Sequence, residues 1–317
     1  MTKDHSRDAG RIGILLTVVL VILTSARLQV CASEAGTSNY LPGFQDTLAG
    51  VLPPPGTYLK QYFLYYQGTV SRTVAEGRIQ ADAKLRTPAS LSVFSHVTKS
   101  KVLGSNYAFG LLIPVLKARL SGTIESPGPV RSFDKSMTGL GDIVISPIVL
   151  GWHNGRSHTL AQFAVYVPTG NYNVQRFVNS GLNRWAIEFD YWYTFLDPKT
   201  GVEVDLAPGY TIPFVNSDTD YTSGQEFHLD FAALKRFPNK LAAGLTGYAW
   251  QQVTSDSGSG ARLGPIKGRV FGLGPLVTYD ALVGDAIITL TAKYITEFGT
   301  KYRFQGNSGW LELAVAL

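Results

Sequence analysis

The chain has 317 residues, of which only 16% are charged, well below the ~25% usual in soluble domains. A net charge of +5 is too small to argue for a nucleic-acid partner, and a single cysteine excludes a disulfide scaffold. With 33 glycines and 16 each of tyrosine and phenylalanine, the composition suits a lipid-facing β-barrel.

At the amino end, Lys3, Arg7 and Arg11 precede an apolar run from Ile12 to Leu23 that only Thr17 interrupts. Val30-Cys31-Ala32 follows, with small residues where a signal peptidase reads. Residues 1–32 are expected to be a secretory signal cut after Ala32, which removes Cys31. About 12 apolar residues are short for a ~30 Å hydrocarbon core, which argues against a retained anchor. Bulky Val30 is a poor fit to a lipoprotein signal. Losing four Lys/Arg and two Asp lowers the net charge from +5 to +3. Residues 33–56 hold few strand signals and end in Pro53-Pro54-Pro55-Gly56, which cannot join a ladder. This stretch reads either as a periplasmic leader or as a hatch folded into a lumen.

From Thr57 the pattern predicts twelve strands, at 57–67, 82–98, 105–120, 141–152, 158–169, 182–195, 202–213, 225–236, 241–253, 267–279, 286–296 and 307–317. Most are near the ten residues or so that cross a membrane at a tilt. Short connections such as Lys99–Gly104 and Asp197–Gly201 alternate with long ones such as Ser121–Leu140 and Gly170–Gly181. Short turns on one side and long loops on the other are the habit of outer-membrane barrels. The expected fold is therefore all-β, a transmembrane antiparallel barrel over residues 57–317, and an even count returns both ends to the periplasmic side. The chain ends in Leu317 where such barrels commonly place an aromatic. Prolines 88, 114, 147, 208 and 275 fall inside predicted strands and should mark bulges or gaps in the ladder.

The alternation is inside out for a soluble protein. Trp185, Ile187, Phe189, Tyr191, Tyr193 and Phe195 share one face of a strand, against Glu188 and Asp190 on the other. Val202, Val204 and Leu206 oppose Glu203 and Asp205, and Phe227, Leu229 and Phe231 oppose Glu226, His228 and Asp230. A charge on the lipid face costs ~2–4 kcal/mol near the midplane, so charges are expected to point inward. By that rule Lys84, Arg86, Lys117 and Arg119 make a basic wall, opposite the acidic wall of Glu188, Asp190, Glu203, Asp205, Glu226, His228 and Asp230. Such a lumen is either a polarised channel or a salt-bridged, filled core.

Aromatics near strand ends, among them Tyr58, Tyr62, Trp152, Trp185, Tyr210, Trp250, Tyr279, Tyr294 and Trp310, are expected in interfacial girdles. Phe94, Tyr166 and Trp192 are expected inside, against an apolar or aromatic solute. An enzyme is disfavoured. Ser223 lies five residues from His228, about 16 Å if extended, too far for a nucleophile and base. No metal-ligand spacing such as a helical HExxH occurs, and Gly139-Leu140-Gly141 and Gly272-Leu273-Gly274 open no helix that would cradle a phosphate. No cofactor is expected.

Several ordered motifs also carry a family resemblance. They include Tyr40-Leu41-Pro42-Gly43, Pro53-Pro54-Pro55-Gly56-Thr57-Tyr58, Asn106-Tyr107-Ala108-Phe109-Gly110 and Gly139-Leu140-Gly141-Asp142. Val167-Pro168-Thr169-Gly170-Asn171-Tyr172, Asp220 to Glu226 with His228, and Lys267-Gly268-Arg269 before Gly272-Leu273-Gly274-Pro275 follow in order. Together they resemble the Putative MetA-pathway of phenol degradation family. The resemblance implies an outer-membrane barrel of a Gram-negative bacterium, associated with entry of aromatic or other hydrophobic compounds. It brings no catalytic or binding residues with it. The expected partners are outer-membrane lipid and a small hydrophobic or aromatic solute that crosses passively. The alternative is a structural or surface barrel with a filled lumen. The sequence carries no signal of oligomeric state.

Overall fold

A computed structural model describes residues 34–74, 79–126, 128–261, 266–284 and 286–317. The expected signal, residues 1–32, lies outside the described residues. Among the described residues, apart from a 3-10 turn at Glu34–Gly36, every regular element is a strand. The strands are β1 (Gly56–Val74), β2 (Ile79–Val102), β3 (Ser105–Ser126), β4 (Gly128–Leu140), β5 (Ile143–Asn154), β6 (Ser157–Val167) and β7 (Ala186–Asp197). There follow β8 (Val202–Pro213), β9 (Glu226–Arg236), β10 (Leu241–Gln252), β11 (Arg269–Val283), β12 (Ala286–Lys301) and β13 (Gln305–Ala316).

All neighbours pair antiparallel. β1 pairs with β13 on one side and β2 on the other, and β2 pairs with β3, so twelve strands close into a ring. The thirteenth, β4, pairs with β3 alone and runs in line with β5, the two being separated by Gly141-Asp142. Residues 121–140, expected as a loop, are therefore a correction: β3 continues to Ser126 and β4 returns alongside it. Charged and hydroxyl side chains occupy both faces there, so no alternation of hydropathy marks the strand. Arg119 and Asp134 pair across the hairpin, on its exposed face.

Strands β5 to β10 are 11 or 12 residues long. At ~3.4 Å per residue and a tilt near 40° they reach roughly 30 Å, one hydrocarbon thickness. β1, β2 and β3, at 19, 24 and 22 residues, run well past that length on the long-loop side. The inner-strand prolines act as expected at different strengths. The ladder skips two residue pairs at each of Pro88, Pro208 and Pro275, shifts register beside Pro147, where β5 is bulged, and keeps Pro114 paired with Leu91.

The outer face carries Phe63, Tyr65, Phe189, Tyr191, Leu206, Leu245, Tyr279, Leu290, Tyr294 and Leu311, all exposed. Three aromatics expected in the girdles face inward instead: Tyr62, Trp250 and Trp310 are buried. They pack against the lumen contents, which a reading of strand ends alone cannot anticipate. Tyr58 also turns inward, onto the cluster around Leu52.

Candidate functional site

Period-two alternation fixes the lumen wall on β7, β8 and β9. Glu188, Asp190, Glu203, Asp205, Glu226, His228 and Asp230 are all at most 5% exposed, whereas Phe189, Tyr191, Leu206 and Phe227 between them are 40% or more exposed. What meets Glu203, Asp205 and Asp230 is residues 34–52, not a basic wall.

Asp230 accepts hydrogen bonds from the Tyr40 hydroxyl, from the Gly43 amide at 3.1 Å and from the Gln45 amide at 2.9 Å. Glu203 accepts from the Thr47 hydroxyl at 2.5 Å and the Leu48 amide at 3.0 Å, and pairs with Arg236. Asp205 accepts from the Ala49 amide at 3.2 Å and the Thr194 hydroxyl at 2.5 Å, and Gly50 donates to Thr194 Oγ1 at 2.9 Å. A non-helical backbone inside a barrel needs partners for its N–H groups, and ionised acceptors give the stronger bonds. The acidic wall meets that need.

The opposite side of the lumen is mostly apolar. Leu41 and Phe44 pack on Tyr62, Leu64, Leu91 and Trp310, while Leu52 packs with Val97, Ala108, Val149, Leu160 and Trp192. At Gly50 a Cβ would sit 2.7 Å from the Thr194 amide nitrogen and 2.8 Å from the His158 carbonyl oxygen. Only glycine lets the segment lie that close to the wall. Lys293 ties the middle of the segment through the Gly43 carbonyl and Asp46, both at 2.6 Å, and Lys60 pairs with Glu312 at 3.3 Å.

The segment runs the length of the lumen. Glu34 sits among the long-loop residues, its carboxylate accepting from Asn216 at 2.9 Å and Thr219 at 2.7 Å, with Arg184 at 3.7 Å. Its amide donates to Ser223 Oγ at 3.2 Å. Leu52, at the other end, reaches the end of the barrel that carries the short turns.

The four basic residues require a correction. Lys84, Arg86, Lys117 and Arg119 lie on the same face of β2 and β3 as Pro88, Phe94, Phe109 and Val115, and that face is outward. The register follows from Tyr62 and Leu64, which face the lumen and stand opposite Leu91 and Ala89. These basic side chains lie in the outer halves of the long strands, where an outward charge meets solvent and headgroups instead of hydrocarbon. Arg86 donates to outward Gln67 at 3.4 Å and Arg119 pairs with Asp134. Phe94, expected inside, is likewise outward and 39% exposed. Tyr166 and Trp192 face the lumen but are engaged: the Tyr166 hydroxyl donates to Glu188 at 2.9 Å, and Trp192 is covered by Ala49 and Leu52.

A second feature lies in the wall. β3 pairs with β5 only over Asn106–Leu112 and with β4 over Val115–Ile124. β6 stops at Val167, opposite Ile143, so no strand continues beside β4 above that point. Residues 168–185 cover the gap. The Asn171 amide and Ser180 hydroxyl donate to the Leu140 carbonyl at 3.2 and 2.7 Å, and Phe177 stacks on Phe133 at 6.0 Å. Asp142 accepts from the Gly170 and Leu182 amides at 2.9 and 2.7 Å. Burial pushes its carboxyl above the usual range, against the pull of those two amides and of Arg184.

Asp46, Lys60, Arg184, Lys293 and Glu312 did not stand out in the sequence, and Tyr40 and Asp142 did so only as members of family motifs. Lys60, Lys293 and Glu312 carried a usable signal, since a lone charge within an otherwise lipid-facing strand has to point inward.

The match to known proteins agrees with this architecture. The family model described as Putative MetA-pathway of phenol degradation matches residues 69–313. No protein of curated function matches the sequence. Among solved structures, the COG4313 outer membrane channel from Pseudomonas putida F1 superposes with a TM-score of 0.63 at 13% identity, over 85% of this chain and 98% of that one. A Pseudomonas aeruginosa FadL homologue gives a TM-score of 0.42 at 9% identity, over 90% of this chain and 95% of that one. At 13% identity the likeness to the COG4313 channel is one of fold, an outer-membrane barrel.

Proposed function

The chain belongs to the Putative MetA-pathway of phenol degradation family, and on that premise we propose that it is a passive outer-membrane channel for small hydrophobic or aromatic compounds such as phenols. Residues 34–55 act in it as a hatch. The observation that carries this reading is the break in the wall at Gly141-Asp142, covered by hydrogen-bonded loop and not by a paired strand. A solute already dissolved in the outer leaflet meets that gap sideways. It then needs no polar route past the loops, and the apolar inner faces of β1 to β3 offer it a surface.

The test is uptake of a labelled phenol at micromolar concentration, comparing a deletion strain with one complemented by this chain. Faster uptake on complementation, with a small sugar unaffected, is the expected result. Equal uptake with the protein confirmed in the outer membrane would overturn the proposal.

The dense bonding of residues 34–52 to Asp230, Glu203 and Asp205 favours a second reading, a filled barrel that conducts nothing. Single-channel conductance in a planar bilayer separates the two. A filled barrel passes no ions even after the Gly170–Asp142 and Leu182–Asp142 bonds are removed by Asp142→Ala.

A further inference from the structure

One cluster in the lumen wall meets the hatch only through the stacking of Tyr40 on His228. Asp190, Gly209 and His228 form a cross-strand row, because Asp190 pairs with Gly209 and Gly209 with His228. Two strand spacings, roughly 9.6 Å, separate the outer members of such a row. Here the side chains of Asp190 and His228 lean across the middle strand until Asp190 Oδ1 and His228 Nε2 are 3.7 Å apart. Glycine makes this possible. A Cβ at position 209 would stand 2.3 Å from Asp190 Oδ1 and 2.3 Å from His228 Nε2. Glu188 shares the inward face of β7 with Asp190, and its Oε2 is also 3.7 Å from His228 Nε2.

These contacts are too long for hydrogen bonds. Among the described residues, neither ring nitrogen of His228 has a hydrogen-bond partner, and neither does Asp190 Oδ1, although both residues are buried. Orphaned buried polar atoms are rare and point to something that satisfies them. Both carboxylates are oriented from outside the cluster. Tyr166 and Thr211 donate to Glu188 Oε2, the oxygen that faces His228, at 2.9 and 2.7 Å, and Gln162 donates to the other oxygen of Asp190, Oδ2, at 3.1 Å. That is the supporting shell which orients metal ligands. Two donor atoms each about 2.1 Å from one ion stand roughly 3.4 Å apart at the tetrahedral angle and further at wider angles. The two donor pairs to His228, each at 3.7 Å, fit that spacing, and all three donors lie within 4.8 Å of one another.

We propose that Glu188, Asp190 and His228 bind a divalent first-row transition ion of the zinc type in the lumen wall. One imidazole and two carboxylates suit such an ion. Its charge of two balances those of Glu188 and Asp190. Three protein ligands leave a position open for water. The ion also fixes the imidazole on which the hatch residue Tyr40 stacks, with ring centres 3.4 Å apart and planes within 9°.

The test is titration of the folded, full-length barrel in detergent with Zn²⁺ by calorimetry and with Co²⁺ by visible absorption. His153→Gln and His158→Gln are introduced first, because those exposed imidazoles lie 2.8 Å apart and would take up metal themselves. The expected result is one ion per barrel, with the absorption of low-coordinate cobalt. Asp190→Asn and Gly209→Ala should each weaken binding by at least ~10-fold. His228→Gln should abolish it, with unchanged heat-modifiable mobility reporting an intact fold. If His228→Gln does not fold, the other two variants decide. No uptake by the parent barrel would overturn the site. So would uptake unchanged in Asp190→Asn and Gly209→Ala, or a nitrogen NMR signature of a doubly protonated His228 that persists at saturating Zn²⁺. None of these readouts depends on whether the barrel conducts.

Discussion

The two sides of this barrel solve the same problem in opposite ways. On β7 to β9, strands of 11 or 12 residues put carboxylates inside and aromatic and aliphatic side chains outside. On β1 to β3, strands of 19 to 24 residues put tyrosine, leucine and valine inside, and outside they carry first apolar side chains and then arginine and lysine. The difference comes from residues 34–52. Their backbone amides face the acids, while Leu41, Phe44 and Leu52 face the apolar side. A lumen that holds an amphipathic segment needs one polar and one apolar wall, and the barrel supplies both.

The sharpest way to break this comparison is to remove its cause. Deleting residues 38–52 strips both walls of their partner, and conductance in planar bilayers should rise from near zero to open steps. Unchanged conductance would sink the hatch. Asp230→Ala comes next. It leaves the Tyr40 hydroxyl and two amides unpaired in the interior, and should cost about 3 kcal/mol in urea unfolding of the lipid-reconstituted barrel. Tyr191→Arg places a charge mid-strand on the outer face of β7 and should cost ~2–4 kcal/mol by the same assay if that residue lies at the midplane. A loss under ~1 kcal/mol would mean a shifted membrane position. The smallest effect is expected on the other side. Arg119→Ala removes an exposed ion pair with Asp134 and should leave the unfolding midpoint where it was. A large shift there would return the basic residues to the interior.

The same contrast explains what was legible in the sequence. Along β7 to β9 each charge is flanked by lipid-facing residues, so a period of two identifies both faces at once. Along β2 and β3 it does not. Leu91 and Val97 are apolar because they meet Tyr62 or Leu52, and a hydropathy pattern cannot distinguish an apolar lumen face from an apolar lipid face. The rule that points Lys84 and Arg86 inward holds only at hydrocarbon depth, whereas their strands outrun the bilayer. Tyr40 and Asp230 are 190 positions apart in the chain. Nothing local in Tyr40-Leu41-Pro42-Gly43 announces the acid it will meet. The break at Gly141-Asp142 was visible as a motif, but its meaning depends on where β6 stops.

The path of residues 34–55 has a consequence for assembly. They enter at the end of the barrel where β1 begins and finish at Glu34 among the long loops on the far side. The seam that closes the ring joins the first strand to the last, down to the Leu317 amide on the Thr57 carbonyl at 2.8 Å. The thread is therefore joined directly to the strand that waits longest for its final neighbour. If β13 docks last, the thread can lie along the open sheet and be wrapped by it. If the ring shuts first, some twenty residues have to be drawn lengthwise through a bore lined with their own binding partners. Of the two histories, wrapping needs no pulling force, which makes the thread a template for the barrel's cross-section as much as its contents.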